Sequence, residues 1–243
     1  MRPAFQWSLL VFLLIHCSNA HAQQKISLSE LKNNVLNLSG KSGTIQVTGT
    51  WAGDRLIIKN AQNVVLQFRS TTQIKSTHKE DALILDTPRQ LTIQGNRKLF
   101  LNQSITIWGT AKGVTLDGIR IQGAHTGIRI NQNQAYQDIT IQNCQIKHCQ
   151  FEGIYIGPHY KSAKQLARVF IKNNRISDCG WDGIQVGNCA QFEIEGNRVS
   201  RCGLKEEWGQ DFALTINPGS QGKLKNNKIK GKIQVLDSRA FFE

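Results

Sequence analysis

Apolar and polar residues alternate in short runs along most of this chain, and between Thr126 and Asn197 one such run is written three times. It reads T-G-I-R-I, E-G-I-Y-I and D-G-I-Q-V. Each copy leads through a variable loop into a second apolar run, I-Q-N-C-Q-I, I-K-N-N-R-I or I-E-G-N-R-V. Alternation with a period of two marks strands with one buried face, and runs this short cannot bury that face alone. Stacked coil on coil they can, which is how a solenoid is built.

From Val64 onward the register can be counted. A first ladder passes through Leu83/Leu85, Ile105/Ile107, Ile128/Ile130, Ile154/Ile156, Ile184/Val186 and Leu214/Ile216, in steps of 22, 23, 26, 30 and 30 residues. A second passes through Ile93, Leu116, Ile141, Ile171, Ile194 and Leu224, and a third through Ile121, Ile146, Ile176, Val199 and Ile229. Three short strands in each turn predict an all-β, three-sided parallel β-helix. Asn96, Asn174, Asn197 and Asn227 recur between the second and third ladders, with Ile119 and Cys144 interrupting the series. They read as scaffold: asparagine tolerates the left-handed backbone of a sharp turn, and stacked amides bond along the axis. Upstream, Thr44 to Thr50 and Arg55 to Lys59 alternate like strands, and Ser27 to Asn33 predicts a short N-terminal capping helix over the first coil. Downstream, Lys232 to Leu236 opens another coil, after which Phe241 and Phe242 either plug the end or the solenoid is shortened.

Residues 1–22 carry a basic Arg2, an apolar run from Trp7 to Ile15 and the small-residue triplet Ala20-His21-Ala22. This predicts a cleaved secretory signal, with 23–243 as a single β-helix domain that is secreted, periplasmic or held at the cell envelope. No later run is long enough to span a membrane. Thirty basic residues against seventeen acidic give a formal net charge of +13. That balance suits an anionic polysaccharide as partner. Nucleic acid is not expected, since the basic residues look scattered and no binding motif accompanies them. A monomer is expected. Cys149, Cys179 and Cys202 recur at one place in successive coils and predict a buried stack of free thiols. Cys144, His148 and Cys149 would face different sides of a coil, so no structural metal is expected.

Candidate chemistry gathers beside the first ladder, where Gly157 to Arg168 and Leu204 to Asp211 lengthen the coils. Alternation turns Arg129, Tyr155, Gln185 and Thr215 outward in one row. Glu152 and Asp182 hold equivalent positions on adjacent coils, a spacing that suits a carboxylate pair, a cation such as calcium, or a shared proton. The competing reading makes them turn residues before Gly153 and Gly183 that bond to their own backbone. Eliminative cleavage of a uronate needs a group to neutralise the substrate carboxylate and groups to move protons. Arg129 and Lys161 fit the first role and Tyr155 and His159 the second. Trp181 and Trp208 offer faces on which sugar rings stack.

The G-I-x-I and N-x-I repeats resemble the right-handed parallel β-helix proteins of the pectate lyase-like superfamily, over nearly all of the chain from about Gly43. The resemblance implies a right-handed coil and export, and a family that holds lyases, hydrolases, epimerases and repeat proteins without known activity. Departures are plain: there is no Asp-Asp pair, no N-T-D, no R-I-K and no W-x-D-H, and G-P-H-Y lacks the aspartate of a D-P-H element. Two functions stay open, a lyase-like enzyme acting on a uronate polysaccharide and a non-catalytic β-helix module for glycan binding or envelope structure.

Overall fold

The computed structural model describes residues 24–31, 33–130, 135–157, 167–205, 211–236 and 239–242. Its strands form three parallel sheets that run the length of the molecule. The first has nine strands, from Val35–Asn37 to Ile233–Val235; the second has ten, from Gln24–Ser27 to Arg239–Phe242; the third has eight, from Thr50–Gly53 to Lys228–Lys230. Successive strands of one sheet lie a full coil apart in sequence, so almost every contact in the core is long-range.

The counted registers are those of the fold. Ile105, Ile128, Ile154, Ile184 and Leu214 pair in order along the first sheet. Leu116, Ile141, Ile171, Ile194 and Leu224 do so along the second, and Ile121, Ile146, Ile176, Val199 and Ile229 along the third. Their side chains, Ile229 excepted, are closed off from water and meet in one continuous apolar core. Each further coil extends that core by a layer, which is why short strands suffice.

The asparagine row behaves as a ladder of amides. Asn174 donates through Nδ2 to Asn197 Oδ1 at 3.0 Å and to the Ile141 carbonyl at 2.9 Å; Asn197 donates to Asn227 Oδ1 at 3.0 Å and to the Ile171 carbonyl at 2.8 Å. Cys144 ends the row, its amide donating to Asn174 Oδ1 at 2.9 Å. The left-handed backbone expected at these asparagines falls one residue earlier, at Asn143, Asn173, Gly196 and Asn226, and on the row itself at Asn96. The residue before the ladder makes the corner, which leaves the ladder residue free to point its amide inward.

One expectation at the ends is corrected. The N-terminal capping helix is absent: Gln24–Ser27 is a strand paired with Gly43–Thr48, followed by a single 3-10 turn at Leu28–Glu30. Ser27 supplies no side-chain cap and Leu31 returns to extended backbone, so the hydrogen-bonding edge of the sheet outcompetes an isolated turn of helix. At the other end Ile233–Val235 does open a coil, paired with Leu214–Ile216. Arg239–Phe242 then adds a strand to the second sheet, and Phe242 stands 63% exposed instead of plugging the core.

Candidate functional site

The outer row of the first sheet runs Ile57, Ile84, Thr106, Arg129, Tyr155, Gln185 and Thr215, one residue per coil. It changes from apolar to polar halfway along, while the inner row stays aliphatic throughout. Strand alternation alone places these side chains outside, as the sequence predicts. They are nonetheless not open to solvent: Tyr155 is 8% exposed, Gln185 2% and Thr215 3%. A buried polar row on the outside of a solenoid contributes nothing to the apolar core, and it marks a covered site.

Two residues before four of the first-sheet core positions, Leu83, Ile128, Ile154 and Ile184, lies a second polar row. It comprises Asp81, Thr126, Glu152 and Asp182, all buried. The glycines that follow explain the local geometry. A Cβ on Gly153 would come within 2.5 Å of Ile176 Cγ2 and 2.6 Å of the Gly183 carbonyl; on Gly183 it would come within 2.4 Å of Val199 and 2.6 Å of the Ala213 carbonyl. Glycine is required because the corner presses into the core and onto the next coil. The carboxylates beside these glycines bond across coils, and Glu152 also bonds its own backbone amide, as a turn residue does. Thr126 Oγ1 donates to Glu152 Oε2 at 3.1 Å, and the Phe212 amide donates to Asp182 Oδ1 at 3.1 Å.

These contacts set the protonation of the pair. Burial raises Asp182 to about 6, opposed by the Thr215 hydroxyl and the Phe212 amide and reinforced by the nearby Glu152. Burial also raises Glu152, opposed by hydrogen bonding and by Arg129. Asp182 Oδ2 is buried without a hydrogen-bond partner. A neutral carboxyl is favoured there, since an isolated buried charge is costly.

Arg129 is already engaged. Its guanidinium bonds Glu80 at 3.3 Å and Asp81 at 3.2 Å, and Thr106 donates its hydroxyl to the same Asp81 oxygen at 2.5 Å. His78 fixes this corner, with Nδ1 accepting the amides of Glu80 at 3.2 Å and Asp81 at 3.1 Å. Arg129 is thus paired with two carboxylates in this structure. The site as a whole has a surplus of acid.

One residue before the acidic row stand His125, Phe151 and Trp181. Ring centroids lie 4.2 Å apart between His125 and Phe151 and 4.1 Å between Phe151 and Trp181, and Lys205 sits over Phe151. The three rings are half-buried and form the open edge of the site. Trp181 meets Phe151 edge to face, and its indole nitrogen is buried without a partner, as is His125 Nδ1. Burial lowers the pKa of His125 against the opposing pull of Glu80, so a neutral imidazole is favoured.

The structure thus brings Arg129, Tyr155, Glu152, Asp182, Gln185 and Trp181 to one face. His159, Lys161 and Trp208, with most of both lengthened loops, lie outside the described residues. Glu80, Asp81, His125 and Phe151 were missed. The signal that finds them is the same count back from the core: Asp81 precedes Leu83 as Glu152 precedes Ile154, and His125 and Phe151 stand where Trp181 stands. Among the described residues no three His, Cys, Asp or Glu side chains are placed to hold a metal ion, and no helix is long and apolar enough to cross a membrane. Cys149, Cys179 and Cys202 are buried and free, behind the glycine corner.

Among solved structures, an alginate lyase from Paenibacillus sp. str. FPU-7 is similar over 90% of this chain and 95% of its own, at 14% identity and a TM-score of 0.32. ORF18 of Geobacillus virus E2 is similar over 84% of this chain and 54% of its own, at 13% identity and the same TM-score. Likenesses this distant bear on neither chemistry nor substrate. No curated protein matches the sequence significantly. A family profile described as a right-handed beta helix region matches residues 103–234, more than half the chain and the coils that carry the site. With three parallel sheets in register, the chain belongs to the right-handed β-helix family.

Proposed function

We propose that this is an exported single-domain protein, released from a signal at residues 1–22, that acts on an anionic, uronate-type polysaccharide at the edge of the first sheet. The observation that carries this reading is Asp182: a fully buried carboxyl, raised to about 6, with one oxygen unpaired and Glu152 beside it. Groups poised to exchange protons near neutrality gather at functional sites. Below that pH a protonated Asp182 donates a hydrogen bond to the uronate carboxylate, the neutralising role, with Arg129 paired to Glu80 and Asp81. Elimination then takes the proton on the carbon next to that carboxylate, forms a carbon–carbon double bond, breaks the glycosidic carbon–oxygen bond and returns a proton to the departing oxygen. Neutral His125 suits the first transfer and Tyr155 the second, with His159 and Lys161 as further candidates just after the Tyr155 strand. Trp181 and Trp208 are the candidates for stacking on sugar rings. Above pH 6 an ionised Asp182 repels a uronate, and a cation such as calcium would offset that charge beside Glu152.

The test is to incubate the mature protein with a panel of uronate polysaccharides at several pH values, with and without calcium, following the ultraviolet absorbance of unsaturated products. Product formation at acid pH that is abolished in Tyr155→Phe or His125→Ala supports the reading. A flat trace from folded protein across the panel sinks it. One observation favours a second reading, a non-catalytic glycan-binding module: Tyr155 and Gln185 are closed off and Arg129 is already paired. On that reading the protein retains glycan without changing it, and Trp181→Ala weakens retention.

A further inference from the structure

The three sheets share the excess positive charge unequally. The strands of the second sheet carry eight basic and four acidic residues, and ion pairs tie several together, Lys172 with Glu193 and Glu195 and Arg168 with Asp138. The strands of the first sheet are balanced. Those of the third carry eight basic residues and one acidic, Asp178, which Arg201 holds at 2.5 Å. Residues that look scattered in sequence are gathered by the coil onto one side.

They are gathered in lines. Arg120, Gln145, Arg175, Arg198 and Lys228 are direct neighbours on successive coils, and beside them run Gln122, Lys147, Ser177, Ser200 and Lys230. Like charges directly opposed across adjacent strands destabilise a sheet, and here Arg175, Arg198 and Lys228 follow one another at a strand spacing of about 4.8 Å. None of the three makes an ion pair among the described residues, and all are exposed. Two open depressions share Arg175 and Arg198. One, of about 390 Å³, reaches toward Arg97 and Arg120, and the other, of about 720 Å³, toward Lys228 and Lys230.

We propose that the outer face of the third sheet is a docking surface for a linear polyuronate chain laid along the solenoid axis, separate from the first-sheet site and independent of any catalysis there. Across the two adjacent rows every coil from Arg120 to Lys228 presents a cation, Lys147 supplying it in the coil of Gln145, which matches a polymer with one carboxylate per sugar, and serine and glutamine hydroxyls and amides lie between the charges to meet sugar oxygens. Nucleic acid fits less well. Duplex phosphates wind away from a straight row, and the strands of this face offer a single accessible aromatic, Phe100, with Arg120 stacked over it at 5.1 Å, where a single strand needs a series of platforms. A polymer held here keeps substrate beside the enzyme, or the protein beside an anionic surface.

The experiment is a binding titration with polygalacturonate across a salt series, using the full mature chain, with neutral dextran and single-stranded DNA as comparators. The variant Arg175→Gln/Arg198→Gln/Lys228→Gln is expected to lose affinity on the order of tenfold or more and to show a shallower salt dependence. A control, Lys25→Gln/Arg89→Gln/Lys112→Gln, removes the same charge from the second sheet and is expected to bind nearly as the parent does. Should the triple variant not fold, Arg198→Gln alone reads the same slope. Equal binding by parent and triple variant overturns the proposal, as does an equal loss in the control, or tighter binding of DNA than of polygalacturonate. Product formation reads the first-sheet chemistry and the salt slope of the triple variant against its control reads the docking surface, so failure of the one and failure of the other are told apart.

Discussion

Two rows of buried polar side chains run along the axis of this solenoid, and they obey opposite rules. In the asparagine row at the corner between the second and third sheets each amide of Asn174 and Asn197 accepts from the coil before and donates to two oxygens. In the row beside the first sheet Asp182 Oδ2, His125 Nδ1 and the Trp181 indole nitrogen are buried with no partner. A satisfied buried network rigidifies a fold, and a half-satisfied one costs stability. The first row is scaffold, and the second is tolerated for what it binds.

The largest effect that tests this contrast is in the scaffold. Asn197→Ala takes the Asn197 side chain away from the Asn174 backbone amide and the Ile171 carbonyl in a buried corner, while Asn174 Nδ2 keeps its bond to the Ile141 carbonyl. Each buried orphan costs about 1–3 kcal/mol, so a loss of about 4 kcal/mol is expected in urea unfolding. A loss below about 1 kcal/mol would mean that the corner is wetter or looser than its geometry, and the distinction between the rows would fall.

Substitution in the other row should do the reverse. Asp182 is raised from 3.8 to about 6, so between those values the folded state binds the proton and the unfolded state does not. Stability contributed by the protonated group is complete below pH 4 and is lost as pH rises toward 6. Asp182→Asn keeps an oxygen for the Phe212 amide and has no charge to bury. It should stabilise the protein above pH 6 by up to about 3 kcal/mol, converge with the parent near pH 4, and lose activity or glycan affinity. Thermal unfolding across that pH range reads the first part. Destabilisation at neutral pH would make Asp182 structural.

Why the scaffold was legible in the sequence and the site was not follows from the same contrast. The three ladders repeat every coil, so Ile128, Ile154 and Ile184 announce their register by spacing alone. Site residues take part in no repeat of residue type: Asp81, Thr126, Glu152 and Asp182 share a position and not a side chain. Tyr155 and Gln185 were found because alternation dictates direction, but alternation does not dictate cover, and their burial was not foreseen. The pairing of Arg129 with Glu80 and Asp81 spans 49 and 48 residues and rests on an irregular corner held by His78. No local pattern encodes it. The capping helix failed for a related reason, since the leucines of 28–31 fit a helical turn equally well until the sheet edge is in place.

A smaller test addresses the coupling within the site. Glu152 helps to raise Asp182, and burial raises Glu152 in turn. Glu152→Gln should therefore bring the Asp182 titration down toward the ordinary carboxylate range, followed by NMR of the carboxyl carbon, and move any acid optimum of activity down with it. The Thr126 hydroxyl still finds an oxygen, so the fold should hold. An unmoved titration would show that the two carboxyls do not sense one another, and the pair would dissolve into two separate groups.

The smallest expected change in stability is at Trp181, and it separates packing from recognition most sharply. The indole lies edge-on to Phe151 at 4.1 Å, half-buried, with its nitrogen unpaired. Trp181→Phe keeps an aromatic ring against Phe151 and removes an unsatisfied N–H, so the lost contact area and the relieved polar burial act in opposite directions. A net change within about 0.5 kcal/mol is expected in unfolding. Glycan affinity responds differently, because a phenyl ring offers less face than an indole to a sugar. A several-fold loss of affinity at unchanged stability places Trp181 with the site. A loss of stability beyond about 2 kcal/mol with affinity intact would place it with the scaffold, packed beneath the loop that follows. The unpaired nitrogen predicts the first result: a residue selected for packing alone in this half-buried stack would be better served by a ring with no N–H to bury.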